Sequence, residues 1–209
     1  MPIIAPSLLS ANFINLQADC TMLNESQADW FHLDVMDGRF VPNISFGPMI
    51  IEFIRKATHK ICDVHLMIEE PEKYAEHFKN AGADILTVHI EACTHLHRNI
   101  QEIKSMGMKA GVAVNPHTSV QLLSDIIQDI DVVCLMSVNP GFGGQKFIPE
   151  ALNKLRAVRQ RIDASGKNIM LEIDGGVKVD NIAEIARAGA DTFVAGSAIY
   201  QAGKDTDPH

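Results

Sequence analysis

The chain has 209 residues, 46% of them hydrophobic, ample for one buried core, so residues 1–209 are read as a single domain. A formal net charge of −8, from 18 Lys and Arg against 26 Asp and Glu, argues against a nucleic-acid surface, which needs clustered cations to neutralise phosphates. No stretch approaches the roughly 18 unbroken apolar residues of a membrane span, and Met1-Pro2-Ile3-Ile4-Ala5-Pro6 has no basic segment ahead of its apolar run, so a soluble, cytoplasmic protein with no membrane partner is expected.

Short apolar runs alternate with amphipathic stretches along the chain. A strand over Ile3 to Pro6 precedes a helix over Phe13 to Glu25, and a strand over Trp30 to Val35 precedes a helix over Pro48 to Thr58. The strand Ile61 to Met67 is followed by a helix over Pro71 to Asn80, and Ile85 to Ile90 by a helix over His95 to Met106. The strand Ala110 to Val114 leads to a short helix over Val120 to Ile126, Val132 to Met136 to a helix over Pro149 to Ser165, and Ile169 to Ile173 to a helix over Val179 to Ala188. The eighth strand is Thr192 to Ala195. Pro48, Pro71 and Pro149 suit first-turn positions.

Strands with near-continuous hydrophobicity, separated by helices, indicate a parallel sheet covered on its outer face, and eight such units predict an α/β fold of the (β/α)8 TIM-barrel type. After the eighth strand, Gly196-Ser197-Ala198-Ile199-Tyr200 leads into a polar segment, 201–209, with no helical apolar stripe. The eighth helix is therefore expected to be short or missing. Its flank then needs cover from a short turn, the N-terminal segment or a neighbouring subunit, and a shortened chain would leave the same gap.

A weak repeat supports this organisation. Gln27-Ala28-Asp29, Ala81-Gly82-Ala83-Asp84 and Ala188-Gly189-Ala190-Asp191 each precede an apolar strand. The glycines suit left-handed helix caps, and the Asp can bond a nearby backbone group. Cys20, Cys62, Cys93 and Cys134 are scattered without a C-x-x-C pair, which points to reduced thiols rather than disulfides or a cysteine metal site.

Side chains alternate sides along a strand, so His32, Asp34 and Met36 share one face, as do Asp63, His65 and Met67. An inward carboxylate in an apolar barrel carries a large desolvation penalty unless a cation or several donors meet it. His32, Asp34, His65 and Asp174 form a mixed N/O set suited to one divalent ion, Zn, Fe, Mn or Co, with residue type alone unable to choose. Asp63 also points inward but lies deeper, where it suits a hydrogen-bond acceptor for a ligand. His89 ends the fourth strand and could join the site, the plainer reading being a structural histidine near the pocket, while His95 and His97 are expected to be solvent-exposed.

In a parallel barrel the carboxyl ends of the strands and the loops after them form the active face. Ser7, His32, Asp34, His65, Met136, Asp174 and Gly196-Ser197 all fall there. Asn139-Pro140-Gly141-Phe142-Gly143-Gly144-Gln145 is a glycine-rich turn after the sixth strand, readable as a flexible connector or as a loop closing over substrate. Gly175-Gly176 and Gly196-Ser197 add loops after strands seven and eight, a recurrent phosphate site in such barrels. Met36, Met67 and Met136 sit at the pocket rim, as an apolar cap or as core filler.

The segments Ala5-Pro6-Ser7-Leu8-Leu9-Ser10-Ala11, His32-Leu33-Asp34-Val35-Met36-Asp37-Gly38, Val64-His65-Leu66-Met67, Met136 to Gln145, Glu172 to Val177 and Val194 to Ile199 resemble the ribulose-phosphate 3-epimerase family over about Ile4 to Tyr200. The missing last helix is the main departure. The resemblance implies interconversion of D-ribulose 5-phosphate and D-xylulose 5-phosphate in the pentose phosphate pathway, with Asp34 and Asp174 as the acid–base pair and also metal ligands. It further implies that Ser7 and His65 contact substrate and that Gly141, Phe142, Gly143, Gly144, Gly175, Gly176, Gly196 and Ser197 form a phosphate-binding rim. A homo-oligomer acting on a small sugar phosphate is expected. Two rivals keep much of this pattern: a D-allulose-6-phosphate 3-epimerase, and a barrel that binds sugar phosphates without turnover.

Overall fold

In the computed structural model, which describes residues 2–200, eight parallel strands form a nearly closed barrel. They are β1 (Ile3–Pro6), β2 (Trp30–Met36), β3 (Ile61–Met67), β4 (Ile85–His89), β5 (Lys109–Val114), β6 (Val132–Met136), β7 (Met170–Asp174) and β8 (Thr192–Ala195). Strands β2 to β8 pair in sequence order and β8 pairs β1. The seam between β1 and β2 is held by the Ser7–His32 bridge and by the Asp29 N–H donating to the Ile4 carbonyl at 2.9 Å.

The outer layer contains α1 (Leu16–Glu25), α2 (Pro48–Ala57), α3 (Ala75–Ala81), α4 (Leu96–Ser105), α5 (Ala151–Ser165), α6 (Ile182–Arg187) and the short α7 (Ser197–Tyr200). Ile199 and Tyr200 of α7 pack on the core, so a short turn helps to cover the flank of β8. The polar segment 201–209 lies outside the described residues. Most of the core lies between barrel and helices, where outward strand residues such as Leu33, Val64, Leu86 and Val133 meet Ile51, Ile100, Leu155 and Ile185. The barrel floor is a smaller cluster around Trp30, Ile85 and Val132.

Helix ends depart from the sequence reading in several places: α5 begins at Ala151, so Pro149 precedes the helix where a first-turn position was expected, and α6 begins at Ile182 and not at Val179. Phe13–Asn15 and Pro71–Lys73 are 3-10 turns ahead of α1 and α3, and the stretch read as a helix over Val120 to Ile126 is a 3-10 turn at Val120–Leu123. Val120, Leu123 and Ile126 are spaced by three, the period that a 3-10 turn stacks on one side. Bonds from Ile126 N to Leu123 O (3.2 Å) and Asp129 N to Ile126 O (3.0 Å) continue that tighter winding.

The Asp that precedes a strand has a specific task. Asp29, Asp84, Asp131 and Asp191 each accept, through a carboxylate oxygen, the N–H of Ile4, Cys62, Ala110 and Leu171 at 2.8, 2.8, 2.9 and 2.8 Å. Each of the four also donates its own N–H to the carbonyl of the same residue. The amino ends of β1, β3, β5 and β7 are thus clamped alike, and Asp131 belongs to the set although its Ile130-Asp131 context lacks the Ala-Gly-Ala-Asp spelling. Asp131→Ala, which leaves the Ala110 N–H without its carboxylate, is expected to cost about 1–3 kcal/mol, read as a lower urea midpoint with an unchanged slope.

The four cysteines are free, and Cys20, Cys62 and Cys134 are buried. Burial, then the Asp19 charge, pushes the Cys20 thiol up to about 11. Burial pushes Cys62 and Cys93 up to about 12. These are packing residues and not nucleophiles.

Candidate active site

Strand parity delivers the site residues. β2 turns His32, Asp34 and Met36 inward, β3 turns Asp63, His65 and Met67, and β7 turns Glu172 and Asp174. The β2–β3 register sets His32 beside Asp63, Asp34 beside His65 and Met36 beside Met67, while β6–β7 sets Met136 beside Asp174. A polar layer thus sits above the apolar floor, with methionines above it.

At its centre four side chains converge. His32 Nε2 is 3.3 Å from Asp34 Oδ1 and 4.0 Å from Asp174 Oδ2, and His65 Nδ1 is 3.3 Å and 3.6 Å from the same two oxygens. One donor atom from each of the four lies within 4.8 Å of all the others. Two ligands each about 2.1 Å from a tetrahedral ion are about 3.4 Å apart, so this spacing suits a divalent ion. His32 Nε2 and His65 Nδ1 are buried without a hydrogen-bond partner, although each imidazole is anchored through its other nitrogen. Two orphaned nitrogens aimed at two carboxylates are what a metal site leaves when its ion is not counted.

The electrostatics agree. Burial opposes charge on His32, but the Asp34 and Asp63 carboxylates outweigh it and hold the imidazole well above its usual range. Burial likewise opposes charge on His65, and the Asp174 and Asp34 carboxylates push it up to about 9. Asp34, against the burial penalty, is held below the ordinary carboxylate range by His32 and His65. The pocket concentrates negative charge and seeks a cation.

A deeper ring supports these four. His32 Nδ1 meets Asp63 Oδ2 at 2.6 Å, the acceptor role expected of Asp63. Glu172, fully buried and 3.9 Å from His32 Nδ1, escaped the sequence reading although it lies two residues before Asp174 on the same face. Burial and then the Asp63 charge hold it well above the usual carboxylate range. His65 Nε2 meets His89 Nε2 at 2.9 Å, and His89 Nδ1 meets Glu91 Oε2 at 3.2 Å, so His89 is buried against the site and not merely near it. The Ser7 hydroxyl donates to Asp34 Oδ2 at 2.5 Å, which orients that carboxylate.

Above this centre opens a pocket lined by Ser7, Asp34, Met36, Met67, Met136 and Asp174, and rimmed by Gly141, Phe142, Gly143, Gly144, Gly175, Gly176, Gly196 and Ser197. Lys178, also at this rim and exposed, was not singled out by the sequence reading. Gly176 has φ +65°, and a Cβ there would lie 2.5 Å from the Phe147 backbone nitrogen, so only glycine fits. Asn43 ties the loop after β2 to the loop after β6 through its Nδ2–H to the Gly141 carbonyl at 2.8 Å.

Eight parallel strands wrapped by helices, with histidines and carboxylates gathered at the carboxyl ends of the strands, define an enzyme of the TIM-barrel class. The fold is shared with KGPDC from Streptococcus mutans (TM-score 0.72, 15% identity, covering 97% of this chain and 91% of that one). It is shared equally with a tryptophan synthase alpha-subunit from Pyrococcus furiosus (TM-score 0.71, 17% identity, covering 96% and 89%). A family model described as the ribulose-phosphate 3 epimerase family matches residues 3–200. Curated ribulose-phosphate 3-epimerases from Synechocystis sp. and Bacillus subtilis are each 52% identical, covering 96% and 94% of this chain and 88% and 91% of the relatives. One from Escherichia coli K12 is also 52% identical, covering 95% and 88%. The chain belongs to the ribulose-phosphate 3-epimerase family, and with it to the isomerases. Among the described residues no helix is long and apolar enough to cross a membrane.

Proposed function

We propose that the chain, as one 209-residue domain, is a metal-dependent epimerase that interconverts D-ribulose 5-phosphate and D-xylulose 5-phosphate by inverting C3, a step of the pentose phosphate pathway. The observation that carries this reading is the pair of carboxylates, Asp34 on β2 and Asp174 on β7, that meet two buried imidazoles under a glycine-rimmed pocket. His32, Asp34, His65 and Asp174 would hold one divalent ion per subunit, Zn, Fe, Mn or Co. When bound, that ion would supply the positive charge that stabilises, in a dry pocket, the enediolate formed across C2 and C3.

The protein's own groups handle the proton. Asp34 takes the C3 hydrogen as a proton, the electron pair moves into the C2–C3 bond and the C2 oxygen gains charge; Asp174, which begins this direction protonated, then gives its proton to C3 from the opposite face as the C2 carbonyl re-forms. In the reverse direction the two exchange roles. Ser7, by donating to Asp34 Oδ2, turns the other oxygen of that carboxylate toward the centre. Met36, Met67 and Met136 cover the reacting edge with apolar surface and exclude water. The backbone N–H groups around Gly141, Phe142, Gly143, Gly144, Gly175, Gly176, Gly196 and Ser197 suit the phosphate, since glycines let the backbone approach closely. The protein would act on a small sugar phosphate as a cytoplasmic homo-oligomer.

Coupled assays with D-ribulose 5-phosphate and D-allulose 6-phosphate test the substrate. A kcat/KM about 5- to 150-fold higher for the pentulose is expected, because a pocket rimmed by the loop after β6 rejects an extra CHOH at a cost of about 1–3 kcal/mol. The reverse preference would move the chain to the hexulose reading. Binding without C3 deuterium incorporation from heavy water would make it a silent sugar-phosphate binder.

A further inference from the structure

Each histidine of the candidate metal centre is gripped from behind, but by different chemistry, and the grip on His65 runs through two residues to which neither the sequence nor the proposed mechanism gives a task. His89 ends β4, and Glu91 lies in the 3-10 turn Ile90–Ala92 that follows. Glu91 is fixed in turn, since its Oε1 accepts the Asn115 N–H at 2.8 Å and the Asn115 carbonyl accepts a Lys154 ammonium hydrogen at 2.9 Å. His89 lies nearly end to end with His65, ring centres 5.0 Å apart and 25° between planes, as a hydrogen bond between ring nitrogens requires, and the Phe40 ring, 4.7 Å away, also contacts it.

We propose that His89 and Glu91 are positioning residues that select the tautomer of His65. A carboxylate offers no hydrogen, so His89 Nδ1 must carry the proton that Glu91 Oε2 accepts. His89 Nε2 is then a lone pair, and at 2.9 Å it accepts from His65 Nε2–H. With a hydrogen held on Nε2, His65 keeps Nδ1, 3.3 and 3.6 Å from Asp34 and Asp174, as the nitrogen that ligates a cation when one takes the place of the proton there. His32 is set the opposite way, with Asp63 on Nδ1 and Nε2 facing the centre. Glutamine cannot replace Glu91, because both carboxylate oxygens accept N–H groups. An amide sets its own N–H against one of them whichever way it is turned.

This inference rests on the metal reading of the site, and zinc affinity separates the two. Zn(II) competition against a chromophoric chelator is compared for the full-length wild type, His89→Phe, His89→Gln and Glu91→Gln, each checked for an unchanged thermal transition before loading. His89→Phe keeps a planar ring at that place but offers no acceptor, and is expected to bind zinc about 10- to 100-fold more weakly, as is Glu91→Gln. His89→Gln, whose carbonyl can accept from His65 Nε2–H, is expected to recover most of the loss. In zinc-loaded wild type, 15N NMR should find the His65 hydrogen on Nε2. Zinc bound equally by wild type, His89→Phe and Glu91→Gln overturns the relay alone. Equal losses in His89→Phe and His89→Gln overturn it too, since shape and not hydrogen bonding would then matter. Wild type that takes up no zinc overturns the metal reading and the relay with it.

Discussion

Asp34→Asn and Asp174→Asn are each expected to fold and to lose at least about a thousandfold in kcat, with C3 exchange lost in parallel. A factor of a thousand is about 4 kcal/mol of barrier, within reach of losing a positioned proton-transfer group. The loss should exceed that of an acid–base group alone, because each carboxylate also belongs to the four-donor set within 4.8 Å. Removal of one donor weakens the cation site that its neighbours serve, so the half-reaction seen as solvent deuterium entering C3 falls as well. Folding should survive, since asparagine has the volume of aspartate and the flanking imidazoles, whose charge the carboxylates favour, can rest neutral beside an amide. Stopped-assay kinetics beside mass-spectrometric deuterium counting checks both parts. Full turnover in either variant would remove that carboxylate from the mechanism.

Chelation is expected to have an effect of similar size. Protein dialysed against a strong chelator should lose nearly all activity and should melt at a lower temperature, because an ion that binds only the folded state stabilises it in proportion to the logarithm of its concentration over Kd. Reconstitution with Zn, Fe, Mn and Co in turn should restore turnover to different extents and so select the working metal, which the mixed N/O donor set leaves open. Metal analysis of protein purified without added ions, set beside the activity regained, links stoichiometry to one site per chain. Activity that survives complete chelation with no bound ion would refute metal dependence.

The barrel was legible from periodicity because a parallel sheet covered by helices needs strands apolar on both faces, and that pattern stands out in runs such as Val132-Val133-Cys134-Leu135-Met136. The principal site was legible for a simpler reason: polar residues on an otherwise apolar inward face, as in His32 and Asp34, conflict with burial unless they serve a purpose. Glu172 obeys the same rule, on the inward face two residues before Asp174, but unlike Asp174 it has no glycine turn beside it to mark a strand end, so parity is its one sign. Glu91 carried no such sign, because it lies in a turn where an acidic residue is ordinary.

What the amino-acid order determined by itself was which side each strand residue faces, since alternation is a property of the extended chain and holds before any strand finds a partner. It therefore settled that His32 and Asp34 share a face, that Asp63 and His65 do, and that Asp131 precedes a strand. Only the tertiary structure decided which nitrogen of each imidazole looks at the centre, that His89 touches His65, and that Ser7 donates to Asp34. Those depend on register, on barrel closure across β1 and β2, and on rotamers chosen by packing between segments tens of residues apart, such as Glu91 and Asn115 or Asp34 and Asp174. A linear pattern encodes faces; distances of about 3 Å between remote side chains arise only when eight strands close on one another.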